Sequence, residues 1–130
     1  MNPKVIVANA IKKEADGIGD ILRPAGYTPW IIDNIEGVGP ALDAGGIMAV
    51  LLDLDSLEVS NRTVRQMTLK FPHVYFLCTS SKPFHPELQD AICYHIYACV
   101  QKPVDPDELL YWLKCIRQDQ RATPDDARAP

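Results

Sequence analysis

The chain alternates between short apolar-rich runs and longer stretches in which apolar residues return every three or four positions. Short apolar runs predict buried strands, and the longer spacing predicts helices that turn one face towards a sheet. The pattern repeats five times, with apolar-rich runs at positions 5–8, 28–32, 47–52, 74–78 and 98–101. Strand–helix units of this length favour right-handed crossovers and helices on both faces of a parallel sheet. We therefore expect an α/β fold with five parallel strands.

Capping residues indicate where several of the predicted helices begin. Asn61 is placed to cap the third helix, and the fourth is expected to begin near Pro86. The fifth helix has the clearest start, because Asp105 is followed by Pro106 at the first helical position and by Glu108 as the partner of a capping box.

Length and the polar C-terminal stretch define the expected domain organisation. A chain of 130 residues is long enough for one domain with its own core. Residues 119–130 are polar and show no apolar period, which is typical of a linker or a frayed end. We expect one domain over residues 1–118, followed at 119–130 by a flexible tail or a linker to a missing output domain.

Charge and hydropathy argue against two classes of partner. The formal net charge is −4 at pH 7, so the domain lacks the basic surface expected of a nucleic-acid binder. The sequence contains no 18-residue apolar span and no signal-peptide pattern before its first strand. We expect a cytoplasmic domain that binds neither nucleic acid nor membrane.

The four cysteines, Cys78, Cys93, Cys99 and Cys115, include no Cys-x-x-Cys pair. Cys78 and Cys99 fall inside predicted buried strands, where a free thiol behaves as a small apolar side chain. We expect reduced core cysteines rather than disulfides or metal ligands.

Polar side chains follow three of the predicted strands at the point where each strand ends. Asp53 ends the third apolar run, Thr79 and Ser80 end the fourth, and Lys102 and Pro103 follow the fifth. The carboxyl ends of parallel strands share one sheet edge, which is where open α/β sheets carry their sites. An acid, a hydroxyl and an ammonium at one edge suggest a phosphoryl group that is bound or carried on Asp53.

Three motifs at these strand ends resemble the receiver domain of two-component response regulators, over about residues 4–118. They are Val-Leu-Leu-Asp-Leu-Asp at 50–55, Phe-Leu-Cys-Thr-Ser at 76–80 and Gln-Lys-Pro-Val-Asp at 101–105. The resemblance implies a flavodoxin-like (βα)5 three-layer sandwich with a five-stranded parallel sheet. It also implies that Asp53 is the phospho-acceptor, that Thr79 binds the phosphoryl oxygens and that Lys102 neutralises their charge. Pro103 would follow a cis peptide bond.

The sequence departs from this family at the metal-binding positions. The first strand of a receiver domain normally ends in two adjacent acids that hold Mg²⁺, and here the matching residues are Ala8 and Asn9. Mg²⁺ prefers octahedral oxygen ligands that include one or two carboxylates. Only Asp53, Asp55 and Asn9 remain as candidate ligands, so we expect a weak or absent Mg²⁺ site. A second departure is Cys99, which occupies the family's aromatic switch position.

The resemblance implies a signalling domain rather than an enzyme. Its partner would be a sensor histidine kinase or another signalling protein, and a homodimer would form through the fourth helix, fifth strand and fifth helix. The missing acids leave two interpretations open: Asp53 is phosphorylated inefficiently, or the domain is a pseudo-receiver that acts by protein contacts alone. A flavodoxin-like enzyme and a small-ligand-binding domain are less favoured alternatives.

Overall fold

Five parallel strands form a single sheet. The structure is a computed structural model that describes residues 2–82 and 89–122. The strands are β1 (Lys4–Ala8), β2 (Thr28–Ile32), β3 (Ile47–Asp53), β4 (Tyr75–Ser80) and β5 (Ala98–Gln101). Their spatial order is β2-β1-β3-β4-β5, the order of a flavodoxin-like fold. The predicted fold class is confirmed.

Helices cover both faces of this sheet. They are α1 (Lys12–Leu22), α2 (Val38–Asp43), α3 (Asn61–Lys70), α4 (Gln89–Tyr94) and α5 (Pro106–Ala122). Side chains of α1 and α5 pack on one face, and those of α2 and α3 pack on the other. Alternate residues of each strand serve the two layers, so Val5 and Val7 face α1 and α5, whereas Ile6 faces α2 and α3. Within residues 2–82 and 89–122, no helix has the length and apolar character needed to cross a membrane.

The central strand β3 is buried along its whole length. It pairs with β1 on one side and with β4 on the other. Because both faces of β3 are covered by helices, its sequence is an unbroken apolar run rather than an alternating one. Asp53 is the residue at which this buried strand reaches the edge of the sheet.

Two predicted helix starts differ from the structure. Ser60, not Asn61, caps α3, because the Ser60 hydroxyl accepts a hydrogen bond from the Thr63 amide at 3.1 Å. Asp105 does cap α5, accepting from the Asp107 amide at 3.0 Å. The predicted start of the fourth helix near Pro86 lies outside the described residues.

Helix α5 continues through Ala122, so the predicted domain end at 118 falls inside a helix. The last turns are held to the rest of the domain by side chains. Gln120 donates from Nε2 to the carbonyl oxygens of Met48 and His73, at 3.4 and 3.2 Å, and the Tyr75 hydroxyl donates to Asp119. Residues 119–122 therefore belong to α5 and not to a tail. Residues 123–130 of the predicted tail or linker lie outside the described part of the chain.

Cys78 and Cys99 form a disulfide, so the expectation that both are reduced core residues was wrong. They are register partners on β4 and β5, with Cα atoms 4.7 Å apart, and Cys99 is exposed rather than buried. The spacing along the sequence gave no sign of this pairing, because the register of two strands is set by the crossover between them. Cys115 is a free thiol, and the side chain of Cys93 lies outside what the structure describes.

Reducing this disulfide is expected to lower the free energy of unfolding by about 3 kcal/mol, because the cross-link closes a loop of about 20 residues in the unfolded chain. Urea unfolding with and without tris(2-carboxyethyl)phosphine measures the difference. The Cys115→Ser variant should show the same response as the wild type, and Cys99→Ser should show none. An unfolding midpoint that does not move on reduction would contradict a cross-link between β4 and β5.

Candidate functional site

The carboxyl ends of β1, β3, β4 and β5 bring the predicted polar residues to one edge of the sheet. The strand ladders place Ala8 beside Leu52 and Asp53 beside Thr79. After β5, the Lys102 amide donates to the Ser80 carbonyl oxygen at 2.8 Å, which brings the lysine to the same edge.

Asp53 lies at the centre of this edge and is only 1% exposed. Its Oδ1 atom accepts a hydrogen bond from the Thr79 hydroxyl at 2.8 Å and lies 2.6 Å from the Lys102 Nζ. Its Oδ2 atom accepts from the backbone amide of Ser56 at 3.0 Å. The expected cluster of Asp53, Thr79 and Lys102 is therefore present, with each oxygen of the buried carboxylate bound to a protein donor.

Lys102 forms ion pairs with three carboxylates. Its Nζ atom lies 2.6 Å from Asp53, 2.7 Å from Glu14 and 3.1 Å from Asp55, and its side chain is 12% exposed. Burial alone would lower the pKa of Lys102, but hydrogen bonds to Asp53, Glu14 and Asp55 outweigh it and raise that pKa well above its usual range. The ammonium is therefore charged at neutral pH. The peptide bond between Lys102 and Pro103 is cis, as predicted.

The side chain of Asp55 turns inward towards Lys102. Its Oδ2 atom also accepts from the Ser81 amide at 2.8 Å, and its Oδ1 atom accepts from the Ser80 hydroxyl at 3.4 Å. Burial would raise the pKa of Asp55, but the hydrogen bonds from Lys102 and Ser81 lower it below the usual aspartate value. The Asp55 carboxylate is thus ionised at neutral pH.

Asn9 follows β1 and is linked to the cluster by hydrogen bonds to Glu14 and Ser56. It is 2% exposed, and its Oδ1 atom accepts from the Ile11 amide at 2.8 Å and from the Ser56 hydroxyl at 3.3 Å. Its Nδ2 group donates to Oε1 of Glu14 at 3.1 Å. Among the described residues, the hydrogen bonds of the Asn9 side chain thus go to Glu14, Ile11 and Ser56, so Asn9 supports the site indirectly.

Glu14 is the functional residue that the sequence analysis missed. It lies in the first turn of α1, and its Oε1 atom lies 2.7 Å from the Lys102 Nζ across 88 positions of the chain. An acid in the first turn after β1 is the only sequence signal that pointed to it, and such acids also occur for helix stability alone. The structure thus adds a third carboxylate to the two expected from the sequence.

These residues do not fit a conventional Mg²⁺ site. Asn9 offers one amide oxygen, and that oxygen is already bonded to Ile11 and Ser56. The Lys102 ammonium lies where the carboxylates of Asp53 and Asp55 converge. Over the part of the chain that the structure describes, no three His, Cys, Asp or Glu side chains are arranged to hold a metal ion. The arrangement is instead a lysine held among carboxylates.

Exposed tyrosines lie on the side of the domain formed by α4, β5 and α5. Tyr94, Tyr97 and Tyr111 are 79%, 40% and 59% exposed. Tyr97 also makes edge contacts with Tyr75 and Trp112, with ring centroids 5.3 and 6.0 Å apart. This surface has the aromatic side chains that an interface uses, and its role in pairing stays a prediction.

No family model and no curated protein matches the chain, whereas many solved structures do. The signal receiver domain of an HD domain-containing protein from Pseudomonas fluorescens is 17% identical and superposes with a TM-score of 0.83, covering 94% of this chain and 99% of that one. A response regulator from Thermotoga maritima is 18% identical over 91% of this chain and 99% of its own, with a TM-score of 0.77.

A third similar structure contains a partner protein. The receiver domain of a Saccharomyces cerevisiae response regulator, solved together with a histidine phosphotransfer signalling protein, is 14% identical and has a TM-score of 0.76. The match covers 92% of this chain and 91% of that one. At identities this low the likeness concerns the fold, and the chain has the fold of response-regulator receiver domains.

Proposed function

We propose that this chain is a receiver-type signalling domain of a two-component phosphorelay, with Asp53 as its phospho-acceptor. The observation that carries the proposal is the contact of one buried carboxylate, Asp53, with the Thr79 hydroxyl at 2.8 Å and the Lys102 ammonium at 2.6 Å. These are the groups that a phosphoryl acceptor needs: a nucleophilic oxygen, a hydrogen-bond donor and a cation that offsets the incoming charge.

The proposed reaction is transfer of a phosphoryl group to a carboxylate oxygen of Asp53. The bond from phosphorus to the donor's nitrogen or oxygen breaks with its electron pair, and a new bond forms between phosphorus and the Asp53 oxygen. The Thr79 hydroxyl then donates to a phosphoryl oxygen, and the Lys102 ammonium moves from the carboxylate to the phosphoryl group. Because Asp53 is 1% exposed, the side chains that cover it must move aside for the donor to reach it.

Transfer to Asp53 is expected to be slow. In this family Mg²⁺ offsets the negative charge of the phosphoryl group as it approaches the carboxylate. Here Ala8 and Asn9 replace the acids that hold it, and the Asn9 oxygen is bonded within the protein. Lys102 supplies a single positive charge among three carboxylates, so the approaching phosphoryl group meets net negative charge.

Incubation with radiolabelled acetyl phosphate tests the acceptor. We expect slow labelling that is stable in acid and labile in base, as an acyl phosphate is. The label should be lost in Asp53→Asn and retained in Asp55→Asn, which removes a neighbouring carboxylate of the same cluster. Labelling that persists in Asp53→Asn would refute the assignment.

A second function is favoured by the completeness of the hydrogen bonds around Asp53. Both of its oxygens are bonded to protein donors, namely Thr79, Lys102 and Ser56, and these contacts would stabilise the unmodified site of a domain that signals by protein contact alone. Such a pseudo-receiver would bind its partner equally well as wild type and as Asp53→Asn. Partner binding that requires phosphorylated Asp53 would exclude this alternative.

The proposed partners are a sensor histidine kinase or a phosphotransfer protein of the kind bound to the similar Saccharomyces cerevisiae receiver domain. A donor histidine would approach the sheet edge that carries Asp53. The tyrosines on the side of α4, β5 and α5 are proposed as a pairing surface for a second copy of the chain. The assigned role is signalling rather than turnover of a substrate, with no binding to nucleic acid or membrane.

A further inference from the structure

We propose that Lys102 is the resident cation of this site, and that Glu14 holds its ammonium group in the place where the carboxylates would otherwise bind a divalent metal. The proposal concerns the resting site, so it does not depend on whether Asp53 is phosphorylated. In this proposal Glu14 and Asn9 hold the Lys102 ammonium. They thereby take the place of the two acids at the end of β1 that hold a metal ion in receiver domains.

The hydrogen-bonding capacity of the Lys102 ammonium is fully used. A lysine ammonium has three N–H donors, and three carboxylate oxygens lie within 3.1 Å of Nζ, one each from Asp53, Glu14 and Asp55. They come from the end of β3, from α1 and from the loop after β3, so the lysine connects separate parts of the sheet edge. This is the coordination of a bound cation, supplied by the chain itself.

Asn9 positions Glu14 for this contact. The Glu14 Oε1 atom accepts from the Asn9 Nδ2 group at 3.1 Å and also contacts Lys102 at 2.7 Å. Asn9 is fixed in turn because its Oδ1 atom accepts from the Ile11 amide. An aspartate in place of Asn9 would present an oxygen to Glu14 and repel it. The neutral amide is thus the side chain that lets a carboxylate from α1 reach the lysine.

A divalent metal and this lysine compete for the same oxygens. A metal bound to Asp53 and Asp55 would lie within a few ångströms of the ammonium, where two positive charges repel strongly in a partly buried site. If the ammonium is removed, three carboxylates are left facing one another with no cation among them. Among the described residues no three acidic side chains are arranged for a metal while Lys102 is present, but without the ammonium these carboxylates are free to rearrange and should bind a divalent cation that the wild-type chain rejects.

The test uses the whole chain with Mn²⁺ as the probe, whose free concentration is read by electron paramagnetic resonance. Lys102→Met, which keeps an unbranched apolar stem and removes the charge, is expected to bind Mn²⁺ at least about tenfold more tightly than the wild type. Its thermal unfolding midpoint should rise with millimolar Mn²⁺, while that of the wild type should not move. Lys102→Arg, which keeps a cation, should behave as the wild type.

Two double variants test whether Glu14 is one of the carboxylates that hold the cation. Adding Glu14→Gln to Lys102→Met should reverse the gain in Mn²⁺ affinity, by about tenfold to a hundredfold. Adding Asp16→Asn should leave the gain intact, because Asp16 carries the same charge on the same helix but pairs with the exposed Lys12. The proposal is overturned if wild type and Lys102→Met bind Mn²⁺ equally, or if the two double variants behave alike.

A measurement on folded chains covers the case in which Lys102→Met does not fold. The ammonium protons of Lys102, detected through its ¹⁵Nζ signal, should be protected from solvent exchange in the wild type and in Asp16→Asn. In Glu14→Gln the signal should be lost or broadened. Millimolar Mg²⁺ should leave the wild-type signal in place. Displacement of that signal by Mg²⁺, or its persistence in Glu14→Gln, would show that Lys102 is not the held cation of the site.

Discussion

Replacing Lys102 with methionine in metal-free buffer at neutral pH is expected to lower the free energy of unfolding by about 3–5 kcal/mol, as when one partner of a buried ion pair is removed. The change leaves the buried Asp53 and its two neighbouring carboxylates without a counter-charge. Urea unfolding measures the loss. The matched control is Lys12→Met, whose ammonium pairs with Asp16 but is 88% exposed, so its removal should change stability little.

The pH dependence of the free energy of unfolding should also reflect the ion pairs of Lys102. The pKa of Lys102 is raised in the folded chain, so its contribution is fully present below the usual lysine value of 10.5 and is lost as the pH rises above it. The pKa of Asp55 is lowered, so its contribution is present above 3.8 and is lost as the pH falls below that value. Wild type should therefore lose stability at both extremes. The alkaline loss should be smaller in Lys102→Met, where the raised pKa of the partly buried Tyr97 still contributes to it. Identical alkaline limbs in the two proteins would contradict the ion-pair account.

The second large effect concerns the layer between the sheet and α2 and α3. Phe76 on β4 is 1% exposed and packs in the cluster that these helices cover. Phe76→Ala is expected to lower the free energy of unfolding by about 3–5 kcal/mol, because the removed ring leaves a cavity. Leu69→Ala on α3 is the matched control, since Leu69 is 68% exposed and should change stability by about 0.5 kcal/mol or less. Equal effects of the two substitutions would contradict the packing described for α3.

Hydrophobic pattern and strand-end chemistry were sufficient to predict much of this molecule from its sequence. The unbroken apolar run before Asp53 predicted a fully buried strand of a parallel sheet, because a strand covered on both faces needs such a sequence. The positions of Asp53, Thr79 and Lys102 at the ends of strands predicted their meeting, because parallel strands end at a common edge. These inferences rely on local sequence and on a general property of parallel sheets.

The features that were missed depend on contacts between distant segments. The ion pair of Glu14 with Lys102 depends on the packing of α1 against the edge of the sheet. Nothing near Glu14 in the sequence specifies that packing. The disulfide between Cys78 and Cys99 depends on the register of β4 and β5. The domain end was placed at 118 because the residues after it are polar, yet the side-chain amide of Gln120 bonds to backbone carbonyls of neighbouring segments.

The assignment of Asp53 as phospho-acceptor is tested most directly by trapping the acceptor itself. Borohydride reduces an aspartyl phosphate to homoserine, which marks the acceptor permanently in the chain. After incubation of the wild-type chain with acetyl phosphate and reduction, we predict homoserine at position 53 in peptide mass spectra. Homoserine at position 55 in place of 53, or an unchanged aspartate at position 53 after prolonged incubation, would contradict the assignment of Asp53 as the phospho-acceptor.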